Sequence, residues 1–248
     1  MTVMALPALT LHSQILAALA TVADPELDQP ITELGFVRSV AVDDHGVTVH
    51  LRLPTAFCSP NFAYLMASDA LDALRTVDDL GELRVLLDDH HDSDKINAGL
   101  AADAGYVGTF GREADQSLDD LRLIFLRKAH TAAMERCLMA AMRRRRIDAA
   151  DLHGLTLRDL TDGPDKAALL RRRFALGLSL CPNSRVAVDE HGRALTAEEL
   201  PLRLRLARTV RISMEGNAHF CRGLLATRYV DGDSTTVHFT DTRTRSPQ

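Results

Sequence analysis

Cys58 is the residue whose type and position most favour chemistry. It lies between a run that predicts a strand and a run that predicts a helix, two residues before Pro60. We expect its sulfur to lie close to a helix N-terminus, where backbone N–H groups and the helix dipole favour the thiolate. A thiolate binds soft metal ions or attacks electrophiles. The alternative is a small buried hydrophobic residue, the usual role of a free cysteine.

Acidic residues precede the predicted hairpin and could supply oxygen ligands: Asp24, Glu26, Asp28 and Glu33. Capping of a turn explains Asp24 without any chemistry, because short acidic side chains accept hydrogen bonds from nearby backbone N–H groups. Exposure to solvent explains Asp28. The roles of Glu26 and Glu33 stay open.

A second candidate metal site combines Cys181, His219 and Cys221. His219 and Cys221 are two residues apart, which would place them on one side of an extended segment. Together with Cys181 they could form part of a tetrahedral set, although their spacing matches no compact metal motif. His90 and His91 indicate an exposed strand end rather than a site.

The elements that position these residues predict a compact N-terminal α+β unit in the order helix, hairpin, helix, strand, helix. Ser13 is the expected cap of the first helix, and the turn Asp43–Gly46 joins the hairpin strands. The predicted elements are a hairpin over 36–42 and 47–53, helices over 61–77 and 92–103, a strand over 83–87 and an extended tail over 105–110.

The remainder of the chain predicts a mainly helical unit. Its expected elements are helices over 117–146, 163–178 and 196–211, a short strand over 185–188 and a terminal hairpin of 224–229 with 235–239. Cys137 falls inside the first of these helices and is expected in the core. The arginine runs 143–146 and 171–173 must spread around their helices, so they do not form one nucleic-acid-binding face.

Charge divides the chain near residue 115. Residues 1–115 carry 6 lysines and arginines against 18 aspartates and glutamates, whereas residues 116–248 carry 23 against 16. This asymmetry predicts an acidic α+β domain over 1–115 and a basic, mainly helical domain over 116–248. An aromatic content of 4% and a net charge of -5 argue against nucleic acid as a partner.

Export and membrane insertion are not expected from the sequence. No apolar run approaches the roughly 18 residues of a membrane helix, and the first residues lack a basic region typical of a secretory signal. The four cysteines are far apart, which favours reduced thiols over a disulfide framework. We therefore expect a cytoplasmic protein.

The motifs of the acidic half occur in an order that resembles a known family. The segments Asp24–Glu26 and Ile31–Gly35, the hairpin, and Thr55–Cys58 before a helix resemble the iron–sulfur cluster assembly family that includes PaaD and SufT. Asp94–Leu100 is similar to the family's last helix. The resemblance covers about residues 12–110.

The resemblance implies a small α+β domain in which the loop cysteine, Cys58 here, is the functional residue. Asp24, Glu26, Glu33 and Thr55 occupy the other motif positions. Members of the family are generally not enzymes, and they help to deliver clusters or metal to client proteins. PaaD-type members accompany multicomponent oxygenases. The loop differs from the family pattern, since it is one residue shorter and has Phe57 where glycine is common.

Two functions follow as hypotheses. In the first, a maturation factor holds iron or an iron–sulfur cluster transiently on Cys58 and delivers it to a client metalloprotein. One thiolate cannot complete the four-coordinate site, so a second copy of the chain in a homodimer, glutathione or the client must add ligands. In the second, the protein is a metal-free assembly chaperone or adaptor for an oxygenase. A thiol-dependent enzyme is a third alternative.

Overall fold

The computed structural model describes residues 10–114, 118–230 and 236–244, and the chain groups into two compact units. The first unit comprises Met1–Leu118 and Ala218–Gln248, and the second comprises Asp119–Asn217. The predicted domains were 1–115 and 116–248. The structure differs from this division in one respect, because Ala218–Gln248 groups with the N-terminal unit. The α+β class is confirmed. Over the described ranges, every helix is too short or too polar to cross a lipid bilayer.

The first unit follows the predicted order of helices and strands. Its described elements are α1 (Leu11–Leu19), β1 (Ala23–Asp24), β2 (Gln29–Pro30), β3 (Val37–Val42), β4 (Gly46–Arg52), α2 (Pro60–Leu74), β5 (Glu82–Asp88), α3 (Ser93–Ala101) and α4 (Gly105–Phe110). Two later elements join it, the end of α7 (Leu200–Arg228) and β6 (His238–Asp241).

A four-stranded sheet in the order β5-β4-β3-β6 forms the centre of the first unit's described part. Strands β3 and β4 form the predicted hairpin, and the Asp43 carboxylate accepts from the backbone N–H groups of His45 (2.8 Å) and Gly46 (2.9 Å) in its turn. Strand β5 pairs in parallel with β4 because α2 supplies the crossover between them. The register places Arg52 opposite Asp88 at the carboxyl ends of these two strands.

The core of the first unit lies between the sheet and the helices. Its fully buried members come from both the helices and the sheet, and include Ile15, Leu19, Ile31, Val40, Val49, Leu74 and Ile96. The apolar positions of α1 repeat at helical spacing, so one face of that helix enters the core. The cap of α1 is Thr10, not the predicted Ser13, because the Thr10 hydroxyl accepts from the Ser13 backbone N–H at 3.2 Å.

The predicted extended tail over 105–110 is wrong, since these residues form helix α4. Tyr106 and Phe110 are four residues apart and share one face of a helical turn. Their rings pack against each other and against Tyr64, with centroid distances of 5.0 Å between Tyr106 and Phe110 and 5.5 Å between Tyr64 and Tyr106. Tertiary packing of this aromatic cluster therefore selects the helix.

The predicted terminal hairpin is also wrong. Residues 224–228 belong to α7, which continues far beyond the predicted end at Arg211. Ala218, Cys221 and Leu225 recur at helical spacing and pack against the core of the first unit. Strand β6 then pairs in parallel with β3, with His238 opposite Ser39, so the C-terminal chain adds an edge strand to the N-terminal sheet.

The second unit is mainly helical, as predicted. It contains most of α5 (Leu118–Arg145), α6 (Pro164–Ala175) and the first part of α7. The strand predicted over 185–188 is wrong, because within the described residues these positions make only isolated bridges, Thr156 to Arg185 and Val188 to Ala194. Cys137 is buried in this unit's core, as predicted, and burial raises the pKa of its thiol to about 11.

The run Arg171–Arg173 confirms that consecutive arginines point in different directions. Arg171 is exposed, whereas Arg173 is buried and its guanidinium donates to the backbone carbonyls of Arg185 (2.6 Å) and Val186 (2.9 Å). Burial lowers the pKa of Arg173 to about 10. This arginine therefore organises the interior of the second unit instead of a surface.

Leu74→Ala tests the packing of α2 on the sheet. Leu74 is 0% exposed, and its truncation leaves a cavity that should lower the free energy of unfolding by about 2–5 kcal/mol. Chemical denaturation followed by circular dichroism measures the change. Val107→Ala is the control, because Val107 is 69% exposed and its truncation should alter stability by no more than about 0.5 kcal/mol. Equal effects of the two substitutions would contradict the described core.

Candidate functional site

Cys58 lies in the loop that joins β4 to α2, next to the helix start that its sequence position predicts. Ser59 is the N-cap of α2 and Pro60 is its first residue. Cys58 is partly buried, and its Sγ lies 3.4 Å from the hydroxyl of Thr55. The same hydroxyl accepts from the Phe57 backbone N–H at 3.2 Å. Thr55 therefore shapes the loop and contacts the sulfur.

His90 holds the backbone of Cys58, a role that the sequence interpretation missed. The Asp92 backbone N–H donates to His90 Nδ1 at 3.1 Å, which places the proton of the neutral ring on Nε2. Nε2 then donates to the Cys58 carbonyl at 2.8 Å. His90 is buried, not part of an exposed strand end. Only its neighbour His91 is exposed, and nothing local in the sequence distinguishes the two.

An exposed aromatic side chain stands beside the thiol. Phe57 is 80% exposed, and its ring lies 5.8 Å from that of His91. The His91 backbone N–H donates to the Ala56 carbonyl at 2.9 Å, so this contact and the His90 ring join the two loops. The exposed ring of Phe57 is therefore carried on a loop whose backbone is fixed by its neighbour.

The carboxylate of Asp24 is buried near the thiol and forms the turn that follows β1. Its Oδ1 accepts from the backbone N–H groups of Glu26 (2.9 Å) and Leu27 (2.8 Å), which is the turn-forming role expected for it. Burial nevertheless outweighs these bonds and raises the pKa of Asp24 to about 6. A carboxyl group with such a pKa changes charge close to neutral pH.

Cys221, which the sequence analysis grouped with Cys181 and His219 as a candidate metal ligand, instead contributes a second thiol beside Cys58. One cavity of about 110 Å³ is lined by Cys58, Cys221, Asp24 and Glu26 together with apolar side chains. Burial, followed by the charges of Asp24, Cys58 and Glu26, raises the pKa of Cys221 to about 11. The cavity is far smaller than the roughly 300–1,000 Å³ of sites for organic ligands.

The other predicted site residues do not join this cavity. Glu33 is exposed and is not among the residues that line it. The second predicted metal site assumed an extended segment, and that premise is wrong, because His219 and Cys221 lie on helix α7. Two residues apart on a helix, they point to different faces, with His219 exposed. Cys181 is exposed in the second unit.

The arrangement offers two thiols and two carboxylates but no complete ligand set. Across residues 10–114, 118–230 and 236–244, no group of three or more histidine, cysteine or acidic side chains is arranged to hold a metal ion. Sulfur and carboxylate donors suit iron and zinc. A partial set of such donors does not form a closed structural metal site. It could bind a metal ion only if another molecule supplied the remaining ligands.

Residues 12–87 match the model of a family described as iron–sulfur cluster assembly protein. An uncharacterized protein of Methanocaldococcus jannaschii is 33% identical over 87 residues, which cover 35% of this chain and 90% of that relative. No solved structure matches the chain. The matched region contains Cys58, Thr55, Asp24 and Glu26, whereas His90 and Cys221 lie outside it.

His90→Ala tests the anchor of the Cys58 loop. Loss of the ring removes a buried hydrogen bond worth about 1 kcal/mol and leaves the Cys58 carbonyl without this donor. The loop should open more often, and alkylation of Cys58 by iodoacetamide should accelerate about fivefold or more. Peptide mass spectrometry measures the rate. His91→Ala is the matched control, because it removes the exposed ring beside Phe57 but keeps the backbone hydrogen bond to the loop. The same rate in both variants would contradict the anchoring role.

Asp24→Asn tests the buried carboxylate of the metal-free protein. The pKa of Asp24 is raised from an ordinary 3.8 to about 6. The free-energy cost of burying the charged carboxylate therefore reaches its full value above about pH 6. This cost disappears as the pH falls toward 3.8. Asparagine keeps an acceptor oxygen, so the variant should be more stable at about pH 8 by about 1–3 kcal/mol. Chemical denaturation at several pH values measures the stability difference between the variant and the wild type. A difference that does not shrink between about pH 6 and pH 4 would contradict the raised pKa of Asp24.

Proposed function

The chain belongs to the iron–sulfur cluster assembly protein family through residues 12–87, and from this premise we propose that it is a non-enzymatic maturation factor. It holds iron or an iron–sulfur cluster transiently on Cys58 and passes this cargo to a client metalloprotein. A multicomponent oxygenase is the client class that the resemblance to PaaD-type members suggests. The proposed place of action is the cytoplasm.

The observation that carries this proposal is a thiol that is partly buried while the backbone around it is fixed. Two side chains fix adjacent backbone groups of the loop: His90 binds the Cys58 carbonyl, and Thr55 binds the Phe57 N–H. A donor atom fixed in this way binds without a large loss of conformational entropy. Partial burial keeps the sulfur within reach of an incoming thiolate, which a fully enclosed cysteine would not allow.

Delivery then requires only ligand exchange at the cargo. A client thiol loses its proton and forms a bond to iron while the bond from Cys58 Sγ to iron breaks. The Cys58 thiolate leaves with its electron pair and can take up a proton, so no oxidant or reductant is consumed. Before transfer, a second copy of the chain, glutathione or the client supplies the remaining ligands that one thiolate cannot provide.

The exposed Phe57 ring favours a second candidate function, an assembly chaperone or adaptor that binds no metal. An apolar side chain that is 80% exposed at an anchored loop tip suits docking of a protein partner, with or without cargo. In that case Cys58 would serve only the shape of the loop. Metal analysis of a cysteine variant separates the two functions.

Cys58→Ser is expected to lose the cargo. Wild-type protein and the variant are reconstituted anaerobically with ferrous iron and sulfide, desalted, and analysed for iron, sulfide and visible absorption. Serine retains the size of the side chain but removes the thiolate, so bound iron should fall by about tenfold or more. The variant should keep the wild-type circular dichroism spectrum.

Cys181→Ser is the matched control, because it removes an exposed thiol from the second unit. It should retain the wild-type content of iron and sulfide. Equal iron and sulfide in wild type and Cys58→Ser would overturn the cargo function and support the metal-free adaptor.

A further inference from the structure

We propose that Cys221, on the C-terminal helix, is the second protein thiolate for the metal cargo held by Cys58. This inference rests on the proposed function and adds to it a ligand from outside the family-matched region. It assigns the site to one protomer. Two thiolates that are 163 positions apart in sequence bind one ferrous ion, and exogenous ligands complete the coordination shell.

The first support is convergence on one cavity. Cys58 and Cys221 both line the same cavity of about 110 Å³, and both are partly buried. This volume accommodates a metal ion with small exogenous ligands, since a cavity of roughly 10–15 Å³ on the same measure already holds a water molecule. Both cysteines therefore border one space that is large enough for a metal ion.

The second support is the chemical character of the cavity wall. A cysteine that serves only packing is usually surrounded by aliphatic side chains. Here apolar side chains make up much of the wall, but the carboxylates of Asp24 and Glu26 line it together with the two thiols. Thiolates and carboxylates are both ligands of divalent iron, so this wall carries donor groups that packing alone does not require.

The third support is the way in which helix α7 is fixed at this site. Ala218, Cys221, Leu225 and Arg228 follow one another at intervals of three and four residues and so share one face of the helix. Ala218 and Leu225 are buried in the core of the first unit on either side of Cys221. The helix therefore presents Cys221 to the interior of this unit, in a defined position.

Polar contacts tie the same helix to the loops of the site. Arg228 donates to the Leu53 carbonyl at 3.0 Å and to the Asp89 carbonyl. Leu53 begins the loop that carries Cys58, and Asp89 precedes the anchor His90. Arg222, the neighbour of Cys221, donates to the Gln29 side chain at 2.6 Å. These bonds fix the position of Cys221 relative to the loop that carries Cys58.

Metal protection of the wild-type protein provides the first test. The full chain is alkylated anaerobically with N-ethylmaleimide, with and without saturating cobalt(II) as a spectroscopic substitute for ferrous iron. Peptide mass spectrometry follows each cysteine. Cobalt should slow alkylation of both Cys58 and Cys221 by about tenfold or more and leave Cys181 unchanged. An unchanged rate at Cys221, with Cys58 protected, would overturn the inference.

Cobalt titration of variants provides the second test. The thiolate-to-cobalt charge-transfer absorption grows with the number of bound thiolates, so Cys221→Ser should show about half of the wild-type band and bind cobalt about tenfold or more weakly. Cys181→Ser is the control with the full band, and circular dichroism verifies that each variant is folded.

The outcomes separate this inference from the proposed function. A full band in Cys221→Ser with a reduced band in Cys58→Ser would overturn the second ligand and leave the cargo role of Cys58 intact. A full band in Cys58→Ser would overturn both. A reduced band in each of the two variants, with the control unchanged, is the expected result.

Discussion

The position of the Cys58 sulfur depends on a hydrogen bond between two loops that leave neighbouring parallel strands. Arg52 and Asp88 are register partners at the carboxyl ends of β4 and β5, so the chain segments that follow them start side by side. The second segment then places His90 against the backbone of the first, with Nε2 at 2.8 Å from the Cys58 carbonyl. A parallel pair of strands thus brings an anchor and a thiol together, although 32 positions separate them.

The return of the C-terminal chain completes this arrangement. The family-matched region ends at residue 87, before the anchor loop and far from α7. Arg228 bonds to the backbone of both site loops, and β6 pairs with the outer side of β3. The sheet and the cavity wall of the first unit therefore both include residues that the family-matched region does not supply, from β6 and α7 respectively.

Local pattern was sufficient to predict the elements that hold Cys58. Alternation in 36–53 indicates the hairpin, and Pro60 marks the first turn of α2, because both signals depend on near neighbours. His90 and Cys221 could not be predicted in this way, since their roles arise from a parallel strand pairing and from the packing of a distant helix. The segments 105–110 and 224–229 were misassigned for the same reason: Tyr106 and Leu225 take helical conformations that tertiary contacts with the core select.

The cavity of the first unit holds acidic groups whose charged forms are disfavoured by burial. Burial disfavours the anion of Asp24, and burial with neighbouring negative charge disfavours the anion of Cys221. A metal that binds these groups must therefore displace their protons, so its affinity is expected to rise with pH. An incomplete set also leaves coordination positions for an incoming client thiolate. In the proposed delivery function, the incomplete protein ligand set is therefore the feature that permits release of the cargo.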